Sequence, residues 1–159
     1  MSELNTALIN RFYQAFQRLD GPAMAACYAP DVVFSDPGFG TLRGRDAGDM
    51  WCMLTARAKA LSVRVDSVRA DAHSGAAHWV ATYAFGPSER TVVNRVQARF
   101  VFRDGLIREH HDHFDAWAWS RQALGPAGVL FGWSPWLRNK IRRQALLGLK
   151  KYQDGSGTA

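Results

Sequence analysis

The chain has 159 residues, of which 47% are hydrophobic and 21% charged, a composition typical of one globular domain with an apolar core. Of the formal net charge of +6, residues 133–159 carry +5, from six bases and one acid. Because the excess of positive charge is confined to this segment, the sequence does not indicate that the domain as a whole binds nucleic acid. No apolar run is long enough to span a bilayer and no signal peptide is recognisable, so we expect a cytoplasmic protein.

The first sixty residues have the periodicity of helices interrupted by one strand. The spacing predicts helices over residues 3–19, 22–28 and 45–60, the first capped by Ser2. Residues 32–34 are strand-like, and Asp-Pro-Gly at 36–38 ends that strand. The apolar face of the third predicted helix contains Met50, Trp51, Leu54 and Ala58.

From residue 62 the apolar period changes from that of a helix to that of a strand. Four long strands joined by short turns are predicted, and Asp104-Gly105 is a strong hairpin signal before the last of them. Helices gathered before an antiparallel sheet indicate the α+β class. In the third of these strands one face carries Asn94, Val96, Ala98, Phe100 and Phe102, and the other carries Arg95, Gln97, Arg99 and Arg103.

The segment after the strands returns to helical spacing. A short helix near residues 120–124 and a breaker-rich connection precede a last helix that begins at Pro135 and runs to about Lys151. We divide the chain into residues 1–132 and a basic amphipathic C-terminal helix with a frayed tail, residues 133–159, in the same domain or appended to it. Its basic face is solvated or makes a weak contact with an anionic membrane. Its apolar seam contains Leu137, Ile141, Ala145 and Leu149.

The order of these elements, with Asp-Pro after the lone strand and Asp112-His113-Phe114-Asp115 after the Asp-Gly turn, resembles the nuclear transport factor 2-like, or SnoaL-like, superfamily. The resemblance covers roughly residues 3–124. It implies a cone-shaped α+β roll, in which a curved antiparallel sheet wraps the N-terminal helices and encloses a pocket. It also implies a homodimer formed through the outer sheet face, on which Arg95, Gln97, Arg99 and Val101 lie.

The superfamily includes ketosteroid isomerases, limonene-epoxide hydrolases, polyketide cyclases and non-catalytic members, so the fold alone assigns no activity. By resemblance, Asp36 matches the general base of the isomerases. Asp112 matches an acid of the epoxide hydrolases and resembles that of the polyketide cyclases. Tyr13 adjoins the position of the isomerase tyrosine. Residues that depart from the isomerase and hydrolase catalytic sets are Phe12, Ala98, Ala81 and Tyr83.

Two carboxylates in an apolar pocket suit acid–base chemistry, because lost hydration raises their pKa toward neutrality. We predict Asp36 as the base, Asp112 as the acid or water-orienting group, and Tyr83 and His110 as auxiliaries for a developing oxyanion. In the alternative interpretation, Asp36 caps the following turn and Asp112 pairs with an arginine of the neighbouring strand. The predicted pocket is lined by Phe12, Phe34, Trp51, Trp79, Asn94, Ala98, Phe100 and Phe114.

The direction in which Asp112 points depends on the register of the last hairpin. A two-residue Asp104-Gly105 loop pairs Ala98 with His111 and sends Asp112 to the arginine face. A three-residue loop, or a bulge further along, places His110 and Asp112 on the face of Phe100. The turn chemistry favours the first arrangement and the family resemblance favours the second, which we adopt.

The resulting functional hypothesis is a cofactor-free isomerase, cyclase or hydratase that acts on a small hydrophobic carbonyl compound. The alternative is a non-catalytic, dimeric ligand-binding or protein-interaction module of the same fold. We expect no metal, because His111 and His113 form only a pair and a stable site needs three or four converging ligands.

Overall fold

The computed structural model describes residues 1–131 and 134–156, and in it six strands form one curved sheet around the N-terminal helices. The α+β class and the cone-shaped roll are confirmed. The helices are α1 (Glu3–Gln17), α2 (Gly21–Ala25), α3 (Arg45–Ala56), α4 (Ala116–Leu124), α5 (Pro126–Phe131) and α6 (Pro135–Ser156). The strands are β1 (Tyr28–Asp36), β2 (Gly40–Arg43), β3 (Ser62–Ala70), β4 (Ser74–Phe85), β5 (Arg90–Arg103) and β6 (Leu106–His113).

The N-terminal helices begin at side chains that cap them. Ser2 Oγ accepts the Asn5 backbone N–H at 3.2 Å, as the sequence predicts, and Asp20 Oδ1 accepts that of Ala23 at 3.0 Å. Helix α3 ends at Ala56, earlier than the predicted residue 60. The prediction for Leu54 is wrong, because its side chain is exposed rather than packed with Met50 and Trp51.

The strand order is β2-β1-β6-β5-β4-β3. Strands β3 to β6 form the predicted antiparallel meander, but β1 runs parallel to β6, so the sheet is not wholly antiparallel. Strand β2 was not predicted because it has only four residues and begins two residues after the Asp-Pro-Gly breaker. The breaker is therefore the turn of a β1–β2 hairpin, in which Asp36 pairs with Gly40.

The β5–β6 hairpin has both the two-residue turn that Asp104-Gly105 indicates and the bulge that the family resemblance favours. Asp104 and Gly105 have φ angles of 54° and 78°, and Arg103 pairs with Leu106, so the loop has two residues as the turn chemistry indicates. Phe102 pairs with Ile107, but Val101 pairs with Glu109, which leaves Arg108 as an extra residue in β6. This bulge moves Asp112 opposite Ala98 and onto the inner face.

The C-terminal helices pack against the roll along the predicted seam. Leu149 of α6 is buried in the core, and Leu137, Ile141 and Ala145 are half-buried. Gln153 Nε2 donates to Asp46 Oδ1 at 2.8 Å and to Asp49 Oδ2 at 3.0 Å, which joins α6 to α3. Helix α6 extends to Ser156, past the predicted end near residue 151, and the predicted domain boundary lies at the undescribed residues 132–133.

None of the helices formed by the described residues combines the length and the hydropathy needed to cross a membrane.

Candidate acid–base site

Strand β6 places alternate side chains on opposite faces of the sheet. His110 is fully buried and Asp112 is 7% exposed, both on the inner face, whereas His111 and His113 lie on the outer face. The register therefore places the Asp112 side chain on the inner face, as predicted. The alternative pairing of Asp112 with Arg95 or Arg99 does not occur, because its hydrogen-bond donors within the described residues are His110 and Trp79.

A hydrogen-bonded chain runs through the core from Trp51 to Asp112. Trp51 Nε1 donates to Tyr28 Oη at 2.7 Å, and Tyr28 Oη lies 2.7 Å from His110 Nδ1. His110 Nε2 lies 2.8 Å from Asp112 Oδ1. Tyr28 Oη accepts from Trp51 and still has its own hydrogen to donate. In the tautomer of His110 that carries its hydrogen on Nε2, Tyr28 donates to Nδ1, Nε2 donates to Asp112, and each polar hydrogen of the chain is used once.

Aromatic rings enclose the His110 imidazole on several sides. The ring centroids of Phe100, Phe34 and Phe12 lie 4.5, 5.2 and 5.3 Å from that of His110. The Trp51 ring stacks on it with an interplanar angle of 10°. An apolar shell of this kind strengthens the electrostatic interaction of the His110–Asp112 pair. The predicted pocket residues that form the buried part of this region are Phe12, Phe34, Trp51, Trp79, Ala98 and Phe100.

Asp36 is the last residue of β1. It is both a cap of the following turn and a buried carboxylate of raised pKa, the two roles that the sequence left open. Its Oδ1 accepts the Phe39 backbone N–H at 2.6 Å, so it does cap the turn. Burial nevertheless raises the pKa of Asp36 to about 6, although the Phe39 hydrogen bond opposes the rise and the nearby Asp112 charge adds to it. Asp36 is therefore electrostatically coupled to the Asp112 relay and exchanges protons near neutral pH.

Tyr83 lies at the half-buried margin of the site rather than in the relay. Trp119 Nε1 donates to Tyr83 Oη at 2.7 Å, which leaves the phenolic hydrogen available to another acceptor. Burial raises the pKa of Tyr83, with a smaller contribution from Asp36. Asn94 and Phe114 are also half-buried. Trp119 was not predicted as a site residue, since it follows the strands in a helix whose position only the tertiary structure defines.

Tyr13 is a second unpredicted member of the site. Its side chain is buried between Trp79 and Phe100, and its Oη has no hydrogen-bond partner among the described residues. Burial raises the pKa of Tyr13 well above its usual value, and the charge of Asp112 raises it further. The available sequence signal was its position on α1 beside Phe12, the residue that the resemblance to the isomerases matches to a tyrosine.

Two clefts open on the outer side of the sheet near Asp36. The larger, of about 750 Å³, includes Pro37 and Phe114 and is basic because Arg95, Arg138 and Arg142 line it. The smaller, of about 310 Å³, is lined by Ser35, Gln97, Arg99, His111, Asp112 and His113. Of the predicted pocket residues, only Phe114 lines the larger cleft. Both clefts contain a sequence neighbour of Asp36, because Pro37 lines the larger and Ser35 the smaller.

Of the two outer histidines, His111 contacts Ser35 and Glu109. His111 Nδ1 lies 2.6 Å from Ser35 Oγ, and Nε2 lies 3.7 Å from Glu109 Oε2. Within the part of the chain that the structure describes, no three histidine, cysteine or acidic side chains converge in a way that would hold a metal ion.

The fold and the site define an α+β roll with a buried aspartate–histidine pair facing its N-terminal helices. The chain matches the family model of the SnoaL-like domain over residues 9–110 and belongs to this family, which confirms the resemblance to the nuclear transport factor 2-like superfamily. No curated protein sequence matches the chain significantly.

Several solved structures are similar in fold to this chain. A candidate polyketide cyclase from Xanthomonas campestris pv. campestris is 25% identical, with a TM-score of 0.66 over 76% of this chain and 97% of its own. An LEH-like epoxide hydrolase from M. tuberculosis is 22% identical, with a TM-score of 0.62 over 80% and 92%. TerC, crystallised with polyporic acid, is 17% identical, with a TM-score of 0.66 over 77% and 99%. About a fifth to a quarter of this chain thus has no counterpart in them.

Proposed function

We propose that the protein binds a small hydrophobic carbonyl compound and catalyses a cofactor-free proton transfer on it, as an isomerase, cyclase or hydratase. The observation that carries this proposal is the buried His110–Asp112 pair, 2.8 Å apart in an aromatic shell, with Asp36 in electrostatic range. The similarity of the chain to a candidate polyketide cyclase supports a carbonyl substrate of this class.

In the proposed reaction Asp36 acts as the general base. A carboxylate with a pKa of about 6 is mostly ionised at neutral pH, yet it is more basic than an ordinary aspartate. It removes a proton from the carbon next to the carbonyl group; the C–H electron pair becomes a C=C bond, and the C=O π pair moves onto the oxygen to form an enolate. In isomerisation the proton on Asp36 returns to another carbon of the substrate. In cyclisation the enolate carbon attacks a second carbonyl carbon, the π pair of that carbonyl moves onto its oxygen, and the resulting alkoxide takes the proton from Asp36.

The enolate oxygen needs a hydrogen-bond donor, and Tyr83 is suited to provide it. Its hydroxyl accepts from Trp119 and therefore has its own hydrogen to donate, at the half-buried margin beside Asp36. Both ring nitrogens of His110 are occupied by Tyr28 and Asp112, so His110 is a positioning residue. It orients the Asp112 side chain, whose other oxygen orients a water or the substrate when Asp112 is ionised and donates a proton to the substrate when Asp112 is protonated.

Proton exchange measured by NMR tests this function directly. A panel of cyclic ketones and diketones is incubated with the protein in D₂O, and loss of the signal of the protons next to the carbonyl reports their abstraction. We expect accelerated exchange for at least one compound and a loss of about 10²-fold or more in Asp36→Asn and Asp112→Asn. Asp104→Asn is the matched control, because Asp104 lies in the exposed β5–β6 turn. Equal exchange in all four proteins would refute the assignment.

A second candidate is a non-catalytic ligand-binding or interaction module that dimerises through the outer sheet face. The close aromatic packing around His110 favours it, because the space a buried substrate would need is occupied by side chains. Compounds that bind but show no accelerated exchange would support this module. Sedimentation velocity with Val101→Glu tests the dimer, since Val101 is 38% exposed on the outer face and a charge there would separate two subunits.

A further inference from the structure

The C-terminal helices expose an unusual share of the large apolar side chains. Of the twelve large hydrophobic side chains exposed in the described residues, seven lie between Trp117 and Leu147. Leu130 is 63% exposed, Trp136 67% and Leu147 61%. The full set is Trp117, Val129, Leu130, Phe131, Trp136, Leu146 and Leu147. A concentration of this kind marks an interaction surface rather than ordinary surface variation.

One stripe of α6 alternates these apolar side chains with bases. Trp136, Lys140, Arg143, Leu147 and Lys150 follow each other at intervals of three or four residues, so they share the side of the helix opposite the packed seam. All five are exposed. Lys140 Nζ lies 5.5 Å from the centre of the Trp136 ring. We call these five residues the α6 outer stripe.

The charge of α6 has a single sign over most of its length. From Pro135 to Gln153 it contains six bases and no acid, and Asp154 is its first carboxylate. None of the three stripe bases makes an ion pair within 4.0 Å with a carboxylate of residues 1–131 or 134–156. The stripe is therefore cationic as well as apolar and is complementary to a surface that is both anionic and apolar.

We propose that the α6 outer stripe docks on an anionic lipid bilayer. At a bilayer the Trp and Leu side chains enter the boundary of the acyl chains while lysine and arginine reach up to the headgroup phosphates. A protein partner with an apolar interface would have to remove water from the interspersed bases. A nucleic acid would neutralise the bases and leave Trp136 and Leu147 in water.

Vesicle co-sedimentation of the full chain tests the docking surface. Sucrose-loaded vesicles of phosphatidylglycerol and phosphatidylcholine in equal amounts are compared with vesicles of phosphatidylcholine alone. We expect sedimentation with the anionic vesicles at low salt, at least about tenfold weaker binding to the neutral ones, and partial release by added salt.

Two variants separate the charged and apolar contributions. Lys140→Gln/Arg143→Gln/Lys150→Gln should abolish the preference for anionic vesicles, and Trp136→Ser/Leu147→Ser should weaken binding about tenfold or more. Arg43→Gln/Arg64→Gln/Arg69→Gln removes the same net charge from exposed positions elsewhere and should bind as the wild type does. Leu4→Ser/Leu19→Ser is the equivalent control for exposed apolar residues.

Three results would overturn the proposal. One is no sedimentation with either kind of vesicle. Another is binding that the stripe variants and their controls reduce equally, which would indicate attraction by net charge alone. The third is a wild-type dimer that does not bind vesicles and that Trp136→Ser/Leu147→Ser converts to a monomer, because the occupant of the surface would then be a second copy of the chain.

Discussion

The two faces of β6 carry the same kinds of side chain in very different surroundings. On the inner face His110 has no exposed surface and is hydrogen-bonded to Tyr28 and Asp112. On the outer face the His111 side chain is 42% exposed, next to Ser35 and Glu109. Both histidines have a hydroxyl and a carboxylate as neighbours. The contrast shows that the chemical properties of these two histidines depend on their burial rather than on the types of their neighbouring residues.

Burial matters because it changes the strength of the same interaction. An exposed pair such as His111–Glu109 competes with water and contributes at most about 1 kcal/mol. A buried pair interacts strongly, and removing one partner leaves an uncompensated polar group, which costs about 3–5 kcal/mol. The inner face can therefore hold a proton relay in one geometry, whereas the outer face holds a solvated surface.

Insertion of one alanine between Glu109 and His110 should have the largest effect, because the Arg108 bulge stays in place and every following residue of β6 moves by one pairing position. His111 and His113 would then enter the aromatic core, and His110 and Asp112 would leave it. We expect the loss of more than about 4 kcal/mol and no cooperative urea transition by circular dichroism. Insertion of one alanine after Ser88, in the exposed turn between β4 and β5, is the control and should leave a cooperative fold. A stable, cooperative insertion variant at residue 109 would show that the bulge does not fix the register.

His110→Ala should come next, with a loss of about 3–5 kcal/mol in the free energy of unfolding. The substitution leaves the Tyr28 hydroxyl and the Asp112 carboxylate buried without their partner and opens a cavity among the aromatic rings. His111→Ala, one residue away, should change stability by less than about 1 kcal/mol. Urea denaturation of both variants measures the contrast, and similar losses would contradict the distinction between the faces.

Packing gives a smaller contrast on β5, the antiparallel neighbour of β6. Ala98 is 1% exposed and pairs with Asp112, so Ala98→Leu should overpack the core and cost about 1–3 kcal/mol. Gln97→Leu adds an apolar side chain to the outer face and should change stability by about 0.5 kcal/mol or less. Thermal unfolding of the pair tests this, and a neutral Ala98→Leu would reveal free space beside Asp112.

The smallest expected effect is the contribution of Asp36 to the pH dependence of the free energy of unfolding. Its pKa is about 6 in the folded protein against 3.8 for the ordinary carboxyl, so the folded state retains the proton longer. Stability should therefore fall as pH rises from about 4 to 6, by about 1–2 kcal/mol because solvent screens a half-buried group. Asp36→Asn should remove this decline while keeping an acceptor for the Phe39 N–H. Urea titrations at several pH values measure it, and parallel profiles for the two proteins would exclude a raised pKa.

Much of the fold was predictable because local patterns encode it. Alternation in β5 correctly separated Phe100 from Arg99, and the Asp104-Gly105 turn was identified by residue type alone. The family resemblance then identified Asp36 and Asp112 as the acids to consider. Short-range signals did not predict β2, because a four-residue strand contains too few residues to show a period.

The candidate site was less predictable, since its hydrogen-bond partners come from distant parts of the chain. Tyr28 and Trp51 reach His110 only after β1 has paired in parallel with β6 and α3 has packed against them. The sequence around Tyr28 and around Trp51 contains no pattern that predicts the hydrogen bonds linking them to His110. Trp119 approaches Tyr83 in the same way, across the end of the sheet.

Local patterns in the sequence specify the order of the elements, which side chains share a face of each strand, and the acids available for chemistry. The tertiary contacts set which face of β6 is buried, the proximity of Asp36 to Asp112, and where α6 packs. A period specifies only the relative orientation of side chains within one element. The absolute orientation is set by register and by contacts between distant elements, and one extra residue at Arg108 is enough to reverse it.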